Sequence, residues 1–191
     1  MFLFVQKVLK QYKELNKQRE IKILHLAPEH KISAWLLKQP NVSYVAGDKF
    51  TKGYEYPSYT IDLDILNLPF EENSFDILIC NHVLEHIPDD TAAMKEIFRV
   101  LKKDGTAILQ VPLAYGLQHT VEDEAAKTEK EREEKFGQYD HVRLYGLDYA
   151  NRLENVGFKV EVTKPSDFIN SDLINKYSVN AKENIYAAIK S

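Results

Sequence analysis

Apolar positions along the chain fall into short β-type runs separated by amphipathic stretches. Residues 3–18 read as a helix, with Leu3, Val5, Val8, Leu9, Tyr12 and Leu15 on one stripe. Ile21 to Leu26 is the first buried strand. A helix over about 30–38 follows, carrying Ile32, Trp35 and Leu36 on one face. Val42 to Ala46 is a second strand, ended by Gly47-Asp48, and residues 49–60 are turn-rich loop. Tyr59 to Leu63 is a weak third strand; Phe75 to Cys80 is a strong fourth, apolar except for Asp76. The next helix starts at Asp89 or Asp90, good N-cap types, and buries Ala93, Met94, Ile97, Phe98 and Leu101. Asp104-Gly105 turns the chain into a fifth strand, Thr106 to Val111, stopped by Pro112.

Beyond Pro112 the pattern changes. Residues 112–127 have no clear apolar face, and 122–135 hold seven acids and four bases. Thr128 to Glu131 fits a capping box, Glu131 and Lys135 form an i,i+4 pair, and Gly137 ends a short exposed helix. Leu147 to Val156 is amphipathic and closes on Gly157; Phe158 to Val162 and Ile185 to Ile189 are the last two strands. Strands alternating with helices predict a mainly parallel α/β sheet covered on both faces. The segment between the last two strands lacks a strong crossover helix, so an antiparallel pairing there is consistent with it. Ligands in such a sheet bind beyond the carboxyl ends of the strands, which selects residues 25–30, 47–50, 62–66, 80–86 and 112–116.

The 191 residues fit one domain over 1–191, with an N-terminal helix within 1–20 and a charged insertion at 112–145. A net charge of −4 gives no basic excess for general nucleic-acid binding. One cysteine allows no internal disulfide, and Lys7 and Lys10 interrupt the apolar start short of a signal core or membrane span. A cytoplasmic protein without nucleic-acid or membrane partners is the expectation.

The turn after the first strand reads His25-Leu26-Ala27-Pro28-Glu29-His30. A dinucleotide site needs a glycine-rich turn here so that a pyrophosphate can approach a helix N-terminus. No glycine occurs before Gly47, and Glu29 would meet the phosphate with a carboxylate. A carboxylate suits an amino group or a sulfonium; it also suits the start of a helix after Pro28. Asp48 can accept both hydroxyls of a ribose or serve as a turn residue. Asp64 with Ile65 can bond an adenine amino group and pack on its ring, or simply end a strand. His82, Glu85 and His86 share a face at i,i+3 and i,i+4 spacing, but no third ligand clusters with them in sequence, so no metal is expected.

From Asp64 to Ile87 the chain reads D-I-L-N-L-P-F-E-E-N-S-F-D-I-L-I-C-N-H-V-L-E-H-I, followed by Phe98-Arg99-Val100-Leu101-Lys102-Lys103-Asp104-Gly105-Thr106. This resembles the type 11 group of S-adenosylmethionine-dependent methyltransferases over about residues 21–111. The resemblance implies a Rossmann-like class I fold, with a seven-stranded, mainly parallel sheet and an antiparallel last strand. It implies S-adenosylmethionine as cofactor and S-adenosylhomocysteine as product. It assigns cofactor contacts to Ala27, Pro28, Glu29, Asp48, Lys49, Asp64, Ile65, Asn81, His82 and His86. The family's usual Asp-x-Gly-x-Gly is replaced by His25, Ala27 and Glu29. Glu29 is expected to take the place of the missing acid at the methionine amino group. A bacterial subgroup of the type 11 family reads close to "HIAPE" here and continues into a segment like Phe136 to Gly146. Members of that subgroup often carry a cysteine-rich, zinc-ribbon-like N-terminal segment, which this sequence does not show.

Gln138 to Tyr145 gathers two phenols, a carboxylate, an imidazole and a guanidinium in one polar stretch. It is either an ordinary polar loop or the acceptor side of the site, with Tyr115, His119, Tyr139, Arg143 and Tyr145 as substrate contacts. Methyl transfer needs donor and acceptor aligned, and an oxygen acceptor needs a base. A histidine near its ordinary pKa of about 6.5 suits that task, which points to His141, with Arg143 binding an anionic acceptor or fixing the loop. The expected function is methyl transfer to oxygen or nitrogen of a small-molecule or glycan-type acceptor. The alternative is a binding module that keeps the fold, has lost turnover and partners another protein. Oligomeric state is not legible.

Overall fold

Hydrophobic runs that are apolar on both sides of the strand end in the middle of the sheet, where helices cover both faces. The computed structural model describes residues 1–15 and 19–191. The expected end of the first helix at 16–18 lies outside the described residues. The elements that build the sheet are β1 (Ile21–Leu26), β2 (Val42–Asp48), β3 (Thr60–Asp62), β4 (Phe75–Asn81) and β5 (Leu101–Gln110), followed by a two-residue ribbon of β6 (Val121–Glu122) and β7 (Arg143–Leu144), then β8 (Phe158–Thr163) and β9 (Ile185–Lys190). The helices are α1 (Phe2–Leu15), α2 (His30–Leu36), α3 (Asp90–Val100), α4 (Glu129–Phe136), α5 (Tyr149–Val156) and α6 (Ser171–Lys176).

The seven-stranded sheet runs β3-β2-β1-β4-β5-β9-β8. β3 through β5 are parallel, while β9 lies antiparallel to both β5 and β8. The Rossmann-like architecture expected from the sequence is therefore the one observed. Its order reverses between β1 and β4, and at that switch point a crevice opens at the carboxyl ends. Alternate residues of the central strands face opposite layers. Leu24, Leu78 and Leu109 pack with Met94 and Ile97 of α3 and Leu153 of α5. Ile23, Ile77, Ile79 and Ile108 pack with Phe4, Val5 and Val8 of α1 and Ile32 and Leu36 of α2.

The single acid of β4, Asp76, is buried but paired: it accepts from Lys22 N at 2.9 Å and Lys102 Nζ at 2.8 Å, and from Arg19. Asp89 caps α3 by accepting from Ala92 N at 2.9 Å. The Thr128–Glu131 capping box is formed, and Gly137 and Gly157 close their helices at φ of +83° and +116°. Lys135, however, pairs with Asp123.

β5 begins at Leu101, five residues before the strand expected at Thr106. Only Leu101 and the residues from Thr106 onward pair with β4; Asp104, at φ +61°, and Gly105 turn through the irregularity between them, opposite Asp76, as expected. Two elements were not foreseen, the β6–β7 ribbon and α6, both too short for a periodic signal. Among the described residues no helix is long and apolar enough to cross a membrane.

Candidate functional site

The carboxyl ends of β1, β2, β3 and β4 and the turns after them bring side chains to the crevice. The turn after β1 lacks glycine yet keeps a glycine-like backbone: Ala27 sits at φ +49°. A left-handed alanine costs about 1–2 kcal/mol, and strain of this kind is concentrated at functional turns. Ala27, Gly47, Asp48, Lys49 and Ile65 line one cavity, walled by the apolar side chains Leu26, Leu63, Val83 and Ile87. Burial pushes the Asp48 carboxyl above its usual range, partly offset by the Lys49 backbone N–H. A carboxylate short of solvent is a strong acceptor for hydroxyl groups. Of the expected adenine pair, Ile65 is in the wall. Asp64 instead accepts from Lys49 Nζ and Leu66 N, each at 2.9 Å, across the rim.

Pro28 leads into Glu29, the N-cap of α2, but the Glu29 side chain makes no cap hydrogen bond. It turns to the sheet, where Oε2 lies 2.5 Å from His25 Nε2 and Oε1 accepts from Asn81 Nδ2 at 2.8 Å. Burial alone would raise its pKa, but the bonds from His25 and Asn81 hold the Glu29 carboxyl below its usual range. His25, fully buried, is itself tied to Tyr44 Oη at 2.9 Å and was missed by the sequence reading. The β1 and β4 ends are thus joined by an ionised carboxylate. Asn81 Oδ1 beside it is buried with no hydrogen-bond partner among the described residues. An anionic group, an unmet acceptor and a half-buried carboxylate at Asp48 have the chemistry to fit a cationic nucleoside. They do not fit a pyrophosphate.

The turn after β4 is a 3-10 turn, Leu84–His86, rather than a helix, entered through His82 at φ +55°. Glu85, next to His82 at 3.5 Å, lifts that imidazole above its ordinary pKa against the effect of burial. The segment after Gly137 docks directly on this turn: Val142 N donates to Glu85 O at 2.9 Å. His141 arrives with its ring edge-on to His86, centroids 4.8 Å apart. Ligand atoms of Glu85, His86 and His141 lie within 4.8 Å of one another. The premise that no third metal-type ligand stands near the His-x-x-Glu-His run is corrected: the fold supplies one from 55 residues further along the chain.

The residues expected on the acceptor side differ in exposure and partners. Arg143 is 3% exposed and donates to the carbonyls of Leu84 (2.8 Å), Ile87 and Pro88 (2.8 Å) and to Glu122 (2.7 Å). Of its two expected roles these bonds fit fixing the loop, because those partners take up its guanidinium. Tyr145 is fully buried, its hydroxyl donating to Asp90 Oδ2 at 2.7 Å, so it is core rather than contact. His141 is 8% exposed, not free on a polar loop. Tyr115 is exposed and accepts from Asn184 N at 2.8 Å, while His119 stands in solvent 3.7 Å from Asp148. Tyr139 is exposed. Glu85 and Asp90 are the organising acids that the sequence reading left out of the site.

Residues 36–109 match the family described as a methyltransferase domain. An uncharacterized protein of Methanocaldococcus jannaschii, MJ0638, is 40% identical over 60 residues, 31% of this chain and 26% of that protein. A demethylmenaquinone methyltransferase of Staphylococcus haemolyticus is 47% identical over 45 residues, 24% of this chain and 19% of that enzyme. The matched stretches thus span about a quarter or less of these relatives. The CurJ carbon methyltransferase superposes with a TM-score of 0.64 at 16% identity, covering 100% of this chain and 54% of that one, a likeness of fold.

Proposed function

We propose that this chain, whose residues 36–109 carry a methyltransferase domain on a class I methyltransferase fold, is an S-adenosylmethionine-dependent methyltransferase. The observation that carries the reading is the cavity at the β1–β4 switch point, where a left-handed Ala27, Asp48 and Ile65 share one wall. Asp48 would hold the ribose hydroxyls, Leu26, Leu63, Ile65 and Val83 the adenine, and Glu29 with Asn81 the charged methionine end. Bound there, the cofactor supplies an electrophilic methyl group on a sulfonium.

The chain's own part is to align and to manage a proton. An oxygen acceptor must lose one as it is methylated, and the group formed by Glu85, His86 and His141 is the ionisable cluster next to the β4 end. Arg143 positions that cluster by clamping the backbone of 84–88. A small-molecule or glycan-type acceptor, reacting at oxygen or nitrogen, is the acceptor class we infer for a crevice that opens at the carboxyl ends of the central strands.

The test is S-adenosylhomocysteine production across a panel of phenols, quinols, sugars and amines, beside calorimetric binding of the same compound. Turnover with at least one acceptor is expected. Tight binding without any turnover would instead support the non-catalytic module; no binding at all would overturn both readings.

A further inference from the structure

We propose that Glu85, His86 and His141 form a binding site for one divalent transition-metal ion at the carboxyl end of β4. Their ligand atoms already lie within 4.8 Å of one another. Two independent features point to a cation rather than to a chance cluster. Glu85 is 1% exposed, and its Oε2 has no hydrogen-bond partner among the described residues. An unmet oxygen on a buried carboxyl group is costly, and a cation would remove that cost.

The second feature is the outer shell. Metal-binding histidines commonly give their other ring nitrogen to a carboxylate or a backbone carbonyl. Here His141 Nδ1 faces the Phe136 carbonyl at 3.3 Å, and His86 Nδ1 faces Asp140 Oδ2 at 3.3 Å. Both arrangements leave Nε2 of the ring for a metal. Two imidazoles and a carboxylate suit zinc, cobalt or nickel better than calcium or magnesium. Three protein ligands also leave a coordination position open, as in catalytic rather than structural sites. Bonds of about 2.0–2.2 Å require the ligand atoms to close to roughly 3.4 Å apart, within reach of side-chain rotation. His82, exposed, lies 3.5 Å from Glu85.

The inference deepens the methyltransferase reading, because the ion would hold the acceptor's oxygen and His141 would be a ligand instead of a free base. Binding is measurable without any methyl donor, so the two can fail separately. Chelator-treated full-length protein is titrated with zinc chloride by calorimetry and with cobalt chloride by visible absorption. One ion per chain is expected, with the intense visible bands of low-coordinate cobalt. His141→Ala should weaken zinc binding at least 100-fold and Asp140→Asn by about 10–100-fold, as for lost outer-shell partners. His30→Ala, at an exposed histidine on α2, should leave the affinity unchanged. Melting curves without metal establish that each variant folds.

The proposal is overturned by wild-type protein that takes up no stoichiometric ion. It is equally overturned if His141→Ala binds as wild type does, the mark of adventitious surface binding. Metal binding without S-adenosylhomocysteine production would leave this inference standing and remove the methyltransferase one. Full-rate methylation by a chelated protein that binds no zinc would do the reverse.

Discussion

At the end of the crevice proposed to hold the nucleoside, Ala27, Glu29 and Asp48 each lie at a strand end or within three residues of one, so the sheet itself aims them. At the other end His141 and Arg143 come from a segment more than 30 residues past β5 and are held by a clamp. The first end is built from consecutive strands and tolerates an unusual sequence: the backbone at Ala27 keeps its left-handed turn without glycine. The second end depends on one buried guanidinium. Arg143 is bonded to three carbonyls, lies beside Glu122, and is 3.6 Å from Asp90, which also takes Arg152 at 2.8 Å. The difference predicts that damage at the two ends will look different: lost ligand affinity at one, lost structure at the other.

The largest effect should come from breaking the clamp. Arg143→Ala leaves a buried Asp90 with fewer partners and three carbonyls without donors. A buried charge network broken on one side costs about 3–5 kcal/mol. Denaturant unfolding should show that loss, and proteolysis should cut first within 112–145. A variant as stable as wild type would erase the contrast between the two ends.

Asp48→Ala is the counterpart at the nucleoside end. Losing hydrogen bonds to a charged acceptor, about 1.5–3 kcal/mol each, should weaken S-adenosylhomocysteine binding on the order of 100-fold by calorimetry. The apo fold should not suffer. Because burial raises the Asp48 pKa, the folded state holds this carboxylate at a disadvantage once pH exceeds its ordinary value near 3.8. Asp48→Asn is therefore expected to melt slightly higher than wild type at pH 7 without ligand. Lower melting together with unchanged binding would put the residue outside the site.

These contrasts explain what could be read in advance. The sheet was legible because runs such as Phe75 to Cys80 and Phe158 to Val162 are long enough to set a period, and strand ends then mark the crevice. Asp48 and Ile65 followed from that geometry. The fate of Arg143 and Tyr145 did not, because burial of a polar residue depends on partners such as Asp90 and the Leu84 carbonyl, remote in sequence. Nor could the Glu85–His86–His141 group be seen: its third member is brought in by a docked loop, and spacing carries no record of docking. Glu29 lies between these cases. Its position was evident, but its hold on His25 and Asn81 needed the neighbouring strands in place.

Glu29 therefore sharpens the comparison at an intermediate size. Glu29→Gln keeps the shape but removes the charge, and should weaken the cofactor product about tenfold, the scale of a single charge-assisted bond. Its stability effect should depend on pH with a defined sign. The folded pKa lies below the usual 4.5, so the ionised form stabilises the fold above that value, and the gain is lost as pH falls through the lowered pKa. Wild type and variant should therefore differ most near neutral pH and converge in acid. A gap that widens on acidification would contradict the assignment.

The smallest effect tests the glycine-free turn itself. Ala27→Gly removes a left-handed penalty of about 1–2 kcal/mol in the folded state but adds roughly 0.5–1 kcal/mol of chain entropy to the unfolded state. The balance favours a slightly more stable variant, by about 0.5 kcal/mol, measured as a small rise in denaturant midpoint. Product affinity should be unchanged, since position 27 contributes backbone shape and a wall of the cavity rather than a polar contact. If the glycine variant instead bound markedly tighter, the alanine would be restricting access to the crevice. The nucleoside end would then depend on its unusual sequence as sensitively as the far end depends on Arg143.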